Sequence, residues 1–324
     1  MLKSYLAAGL LLGALAAPLH AQADAAGKRI ALILGPTDDV YLGAIDKYFT
    51  AEATKLGMKV TVFSSPFDPA LEAQQIDDAI AQKYDLLVVQ ILSQKAIVPP
   101  LLRAKAAHIP VVLTVAPFTD DSHDALYDTY VGTDNTIAGN LAGQAVVNAL
   151  QASGRKTGKV AILAGAMAEG NAPTRNTAFR EVLAKHPGYQ VVALEDTQWD
   201  PVKAERMAGQ LIARFSGQGG LDAIYGMSDT IANGAVQAAK SAGVKLGEKG
   251  LVIVGGSCQT PGIQDIQAGT MVATVLVAPS IEGKLAADAA KNIFDGVKMP
   301  KRQHGPHEIV DTASLSKYAG LCTF

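Results

Sequence analysis

The stretch IALILGPTDDVYLGAIDKYF, residues 30–49, carries two periodicities in succession. Ile30, Ala31, Leu32, Ile33 and Leu34 form a continuous apolar run. Val40, Tyr41, Ala44, Ile45, Tyr48 and Phe49, continued by Ala53 and Leu56, then recur at helical spacing and make one apolar face. An uninterrupted run rich in branched residues suits a parallel strand covered on both sides, and the spacing after it suits an amphipathic helix. Read together they are a strand and its crossover helix, the unit from which open α/β sheets are wound.

The unit repeats. Residues 86–89, 111–115, 160–163 and 251–254 are short apolar runs of the same kind. Amphipathic stretches cover about 69–83, 95–107, 135–151, 173–185, 201–215, 229–242, 260–268 and 280–294. Asp68-Pro69, Asp200-Pro201 and Thr260-Pro261 each place a capping side chain before a proline at the first helical position. Segment 117–130 breaks the rhythm with Pro117 and several acids, strand-like Tyr130-Val131 leads into the Gly132-Thr133-Asp134-Asn135 turn, and the pattern restarts at Lys159. With 324 residues, the chain is expected to form two α/β lobes, each a doubly wound parallel sheet, with a cleft where the carboxyl ends of the strands face each other.

Apolar residues make up 49% of the chain, enough for two cores, and the formal net charge of −2 is spread without basic runs. Nucleic acid or an anionic membrane would call for a basic face, so neither is expected as a partner. Met1-Leu2-Lys3, an apolar run from Tyr5 to Ala17 and small residues up to Ala23 have the form of a secretory signal peptide over residues 1–23, cleaved after Ala21 or Ala23. The expected location is the periplasm. There Cys258 and Cys322 would meet oxidising conditions, in which a disulfide persists; two separate thiols are the alternative.

Several segments in this order resemble the periplasmic sugar-binding proteins of the ribose and glucose/galactose type, the type I periplasmic binding proteins, whose fold is shared by the effector domains of the LacI repressors. The resemblance rests on the opening 30–34 run with Asp38-Asp39-Val40-Tyr41-Leu42, on His108-Ile109-Pro110-Val111-Val112, and on Val131-Gly132-Thr133-Asp134-Asn135. Arg175-Asn176-Thr177-Ala178-Phe179, Trp199-Asp200, and Ser228-Asp229 leading to Gly234-Ala235 continue it, so that it spans the chain from about Lys28 onward. It implies three hinge crossings between the lobes, with residues 28–132 plus 278–304 in the first and 133–277 plus 305–324 in the second. A signal peptide stands where a repressor would carry its helix-turn-helix.

A sugar offers apolar C–H faces and a rim of hydroxyls, so its site needs flat aromatic surfaces beside charged or amide groups. By resemblance Tyr41 and Trp199, the single tryptophan, match aromatics that sandwich a ring, and Asp39 matches an acidic or amide contact. Asp39 could equally cap the following helix, a task open to Asp38 as well. Gln90 matches a ligand-bonding Asn, the alternative being a polar residue that just ends the strand. Arg175 matches an arginine that forks onto ring oxygens, an exposed helical arginine being the alternative. Ser228 stands where the family has Asn, with Asp229 beside it as the expected helix cap, and Ser257 follows the 251–254 run where the family has Asp. Val115, Ala116 and Val277 replace polar family anchors. Each lost charged hydrogen bond is worth roughly 1.5–3 kcal/mol, which points to a ligand with fewer hydroxyls than a common hexose.

No phosphate-binding loop, dinucleotide fingerprint or G-x-S-x-G elbow occurs, and neither His304/His307 nor Asp120–Asp124 has metal-ligand spacing, so no cofactor or metal is expected. The resemblance implies a monomeric, non-enzymatic subunit that closes on a small solute and presents it to an ABC permease in the inner membrane, or to a receptor or histidine-kinase ectodomain. An exported hydrolase would need Cys258 paired with a cleft histidine.

Overall fold

The opening apolar run forms β1 (Arg29–Leu34), buried from Ile30 onward, and the helical spacing after it forms α1 (Val40–Lys55). The computed structural model describes residues 25–324, and the signal peptide read in residues 1–23 lies outside them. Next come β2 (Lys59–Ser64), α2 (Pro69–Ala81), β3 (Leu86–Gln90), α3 (Val98–Ala106), β4 (Val111–Thr114) and β5 (Thr129–Val131). A second set follows: α4 (Asn135–Ala152), β6 (Gly158–Ala164), α5 (Asn171–Ala184), β7 (Tyr189–Asp196) and α6 (Pro201–Ser216). It continues with β8 (Ala223–Gly226), α7 (Asp229–Ser241), β9 (Val252–Val254), α8 (Thr260–Gln267) and β10 (Ala273–Val275). Then come α9 (Pro279–Phe294), β11 (Arg302–Gln303), β12 (Ile309–Asp311) and the single-turn α10 (Leu315–Tyr318).

The strands form two six-stranded sheets, ordered β11-β5-β4-β3-β1-β2 and β12-β10-β9-β8-β6-β7. Every pairing is parallel except the antiparallel β10–β12 edge. In each sheet the chain winds outward one way from its first strand and then the other way, so the order reverses at β1 and at β6. The crevice outside the carboxyl ends at such a reversal is where open α/β sheets take ligands. The chain passes between the sheets after β5, after β10 and between β11 and β12. Helix α9 returns to pack on α1, where Ala286, Ala287, Ala289 and Ala290 join Ile30, Leu32 and Val88 in one core.

Six strands, β2, β7, β8, β10, β11 and β12, lie outside the apolar runs and strand-like segments read from the sequence. β2 and β7 are sheet edges with mixed burial, and their sequences KVTVFS and YQVVALED reflect that exposure. β8 and β10 have only four and three residues. Burying a medium-sized apolar side chain contributes roughly 1.5–3 kcal/mol, so strands this short are held by their helical cover rather than by ladder length. Segment 117–130 folds as a single 3₁₀ stretch, Asp121–Leu126, before β5.

Candidate functional site

The carboxyl ends of both sheets open on one cavity, the place where open α/β sheets take ligands. All seven residues singled out in the sequence line it: Asp39, Tyr41 and Gln90 from the first lobe, and Arg175, Trp199, Ser228 and Ser257 from the second. Across it the lobes touch. At Gly170, before α5, the position of a side-chain Cβ lies 2.2 Å from the Pro117 carbonyl oxygen beyond β4, so only a glycine fits.

In the first lobe, Asp39 rather than exposed Asp38 caps α1. Its Oδ1 accepts the backbone N–H groups of Tyr41 and Leu42, both at 2.9 Å, while Oδ2 has no donor among the described residues. Both readings of Asp39 are thus compatible, one oxygen to each. Gln90 accepts the Gly35 N–H at 3.0 Å, joining the ends of β3 and β1 where the strand order reverses. The Tyr41 hydroxyl donates to Glu282 at the start of α9, and Glu282 also accepts from Thr133 Oγ1 at 2.9 Å. Burial raises Glu282 against those two donors, and burial beside the Glu282 charge holds Tyr41 well above its usual range. The Tyr41 hydroxyl is therefore committed to the hinge, and its ring is left as cavity wall.

In the second lobe, Arg175 is only 6% exposed, which rules out an exposed helical arginine. Its Nε donates to Asn135 Oδ1 at 2.8 Å and its Nη1 to the Met227 carbonyl at 2.8 Å, and its guanidinium lies 5.9 Å from the Trp199 ring. Trp199 donates from Nε1 to Glu169 Oε2 at 3.2 Å. Its ring crosses the end of β6 so closely that a Cβ at Gly165 would meet it at 2.2 Å. Trp199 and Val115 both hold left-handed backbone, φ 63° and 60°, a costly conformation for bulky or β-branched residues that clusters at functional sites.

Ser228, and not Asp229, caps α7: its Oγ accepts the Ile231 N–H at 3.3 Å. Asp229 turns inward instead and accepts from Gly256 N at 3.0 Å, Gln259 N at 2.7 Å and Thr274 Oγ1 at 2.5 Å. Full burial outweighs these donors and pushes its carboxyl up to about 6. Asp229 thereby moulds the 255–259 loop, of which Ser257 and Gln259 line the cavity. The same loop is fastened by a disulfide between Cys258 and Cys322 (Cα–Cα 5.0 Å), so Cys258 offers no thiol for nucleophilic chemistry.

Of the three positions read as lost polar anchors, Val115 and Val277 line the cavity. Ala116 instead joins the core with Leu113 and Tyr130. Sequence reasoning missed Glu169, between β6 and α5, and Asn171, the first residue of α5. Glu169 is 2% exposed and pushed up to about 8, chiefly by burial, with the nearby Asp39 charge adding to the rise and the Trp199 N–H opposing it. Asn171 Oδ1 is buried without a donor. Their one sequence trace is an acid and an amide in the stretch after a strand end.

A family model described as periplasmic binding protein domain matches residues 30–298. The chain is 27% identical over 272 residues to a ribose import binding protein of Haemophilus influenzae, covering 83% of this chain and 87% of that one. It is 27% identical over 302 residues to the D-allose-binding periplasmic protein of Escherichia coli, covering 90% and 93%. The periplasmic binding protein component of an arabinose ABC transporter from a Shewanella species, solved with L-arabinofuranose, superimposes with a TM-score of 0.83 at 23% identity over 90% of this chain and 95% of that one.

Proposed function

The chain belongs to the periplasmic binding protein domain family, and from that premise we propose that it is the solute-capturing subunit of an ABC importer, taking a small sugar or polyol in the periplasm. One observation carries the reading: polar side chains from both lobes meet at a single cavity on the carboxyl ends of both sheets. A solute held there favours the closed arrangement because it touches both halves, and the closed form is what a permease recognises. The names of the relatives supply the solute class. The apolar wall at Val115 and Val277 favours a solute with fewer hydroxyls than a common hexose. Asp39, Gln90 and Arg175 supply polar contacts, Tyr41 and Trp199 the flat surfaces, and Ser228 and Ser257 the remaining hydroxyls. The protein performs no turnover in this role.

A thermal-shift screen of sugars, polyols, alcohols, amines and small acids tests it. A stabilising solute should lose most of its effect with Trp199→Ala or Arg175→Ala, the latter weakening binding by about 10- to 100-fold, as expected for a lost charged hydrogen bond. If both variants respond like the parent, the solute sits elsewhere.

A further inference from the structure

We infer that the solute carries a protonated amine, held between Asp39 of one lobe and Glu169 of the other. This rests on the solute-binding reading above and narrows it to amino-substituted sugars or polyols. Three side-chain oxygens at the cavity have no protein partner among the described residues: Asp39 Oδ2, Glu169 Oε1, and the buried Asn171 Oδ1. Asn171 is only 6% exposed, so its oxygen must find its donor inside the cavity.

Charge separates an amine from a hydroxyl as that donor. Asp39 and Glu169 approach from opposite lobes, close enough that the Asp39 charge raises Glu169, and Arg175 alone among the cavity-lining residues is a cation. Nearby Glu282 is already satisfied by the Tyr41 and Thr133 hydroxyls. Pushed up to about 8, Glu169 holds its proton at neutral pH in the empty cavity. A hydroxyl leaves it protonated, whereas a cation between the two acids lets Glu169 ionise and ties the lobes. Among the described residues no three acidic, histidine or cysteine side chains converge to hold a metal ion. An ammonium brings three donors on one atom, and Asp39, Glu169 and Asn171 all line the one cavity.

Isothermal titration of the purified protein with matched pairs tests this: D-glucose against D-glucosamine, D-galactose against D-galactosamine, and sorbitol against 1-amino-1-deoxysorbitol. The amino member of at least one pair should bind about tenfold or more tightly than its neutral counterpart, the worth of one charge-assisted hydrogen bond. Glu169, which faces Asp39, Glu72, Arg175 and Asp196, should ionise as the ammonium enters. Binding at neutral pH should therefore release a proton, seen as an enthalpy that depends on the buffer. Glu169→Gln should bring the amino-to-neutral ratio within about threefold and abolish the proton release, with Asp39→Asn as a second variant and unliganded melting curves as the check on folding. Neutral members binding as tightly as amino members in every pair overturns the inference and leaves the solute-binding reading intact. An amino preference that survives Glu169→Gln also overturns it. If no member of any pair binds, it falls together with the sugar or polyol reading.

Discussion

Replacing Gly170 by alanine places a methyl group between the lobes. Gly170 has φ −81°, a conformation alanine adopts without strain, so the substitution costs nothing in the lobe that carries it. The cost arises only on closure: the new Cβ would lie 2.2 Å from the Pro117 carbonyl oxygen and 3.1 Å from Gln94 Nε2 of the other lobe, where ordinary contact begins at 3.4 Å. Gln94 itself donates to the Pro117 carbonyl at 3.0 Å, so that side of the contact is braced. The lobes must stop about 1 Å short, which stretches a hydrogen bond from one of them to the solute from about 2.9 Å to beyond 3.5 Å, where it ceases to count as one. Losing one such bond, at roughly 1.5–3 kcal/mol when charged, weakens binding by about 10- to 150-fold. Titration of Gly170→Ala with a solute found in the screen gives the affinity, and small-angle scattering shows whether the liganded variant stays open. Melting of the unliganded variant should match the parent. Parental affinity in Gly170→Ala would refute the claim that the lobes meet at this point when they close.

Three further outcomes follow from buried groups and from one helical glycine. Burial pushes Glu72 up from 4.5 to about 8, so the native chain holds a proton that the unfolded chain has released; the resulting stabilisation is complete below pH 4.5 and is lost as pH rises towards 8. The melting temperature should therefore fall between pH 5 and pH 9, and Glu72→Gln should flatten that decline; a decline of unchanged slope in the variant would discount Glu72 as its source. Reducing the Cys258–Cys322 bond, which spans a sequence separation of 64, should cost about 4 kcal/mol in the chain-entropy model. It should lower the melting temperature by about 10 °C and loosen the loop carrying Ser257 and Gln259; unchanged melting and affinity under reductant would show the loop to be held by Asp229 alone. Gly209→Ala in α6, where a Cβ meets nothing within 4 Å, should stabilise by about 0.5–1 kcal/mol and leave affinity unchanged, which makes it the control for Gly170→Ala.

How far the sequence carried this reading depended on where each residue's partners lie. The strand and helix of residues 30–49 were legible because their apolar periodicity is local and their cover is complete. Edge strand β2 was not, since its half-solvated side interrupts the apolar run with polar residues, and at the other edge β7 keeps only a short run, residues 191–194, under mixed cover. Which residue caps a helix was legible only as a choice between neighbours: Asp39 prevailed over Asp38, and Ser228 over Asp229. Both side chains of each pair can accept an N–H, and only the turn of the preceding strand decides which one reaches it. Arg175 could be recognised because its place in an ordered motif survives in the sequence. Glu169 and Asn171 could not, because what distinguishes them is their burial, a fact of tertiary structure alone.

The cavity is shaped as much by backbone as by side chains. Val115 follows β4 and Trp199 follows β7, each in left-handed backbone on its own side of the cleft, and Cys258 holds a third such conformation, φ 50°, between two lining residues. Each costs of order 1–3 kcal/mol and persists only where the surroundings over-determine it. Those surroundings are visible. The Tyr130 hydroxyl donates to the Val115 carbonyl at 3.1 Å, Gly165 lets the Trp199 ring lie flat on β6, and Asp229 with the disulfide grips Cys258 on both sides. Strain fixed at these three points and at Phe67 (φ 52°), which also lines the cavity, means that the walls are set before a solute arrives. What remains to move is the distance between the lobes, which the contact at Gly170 limits.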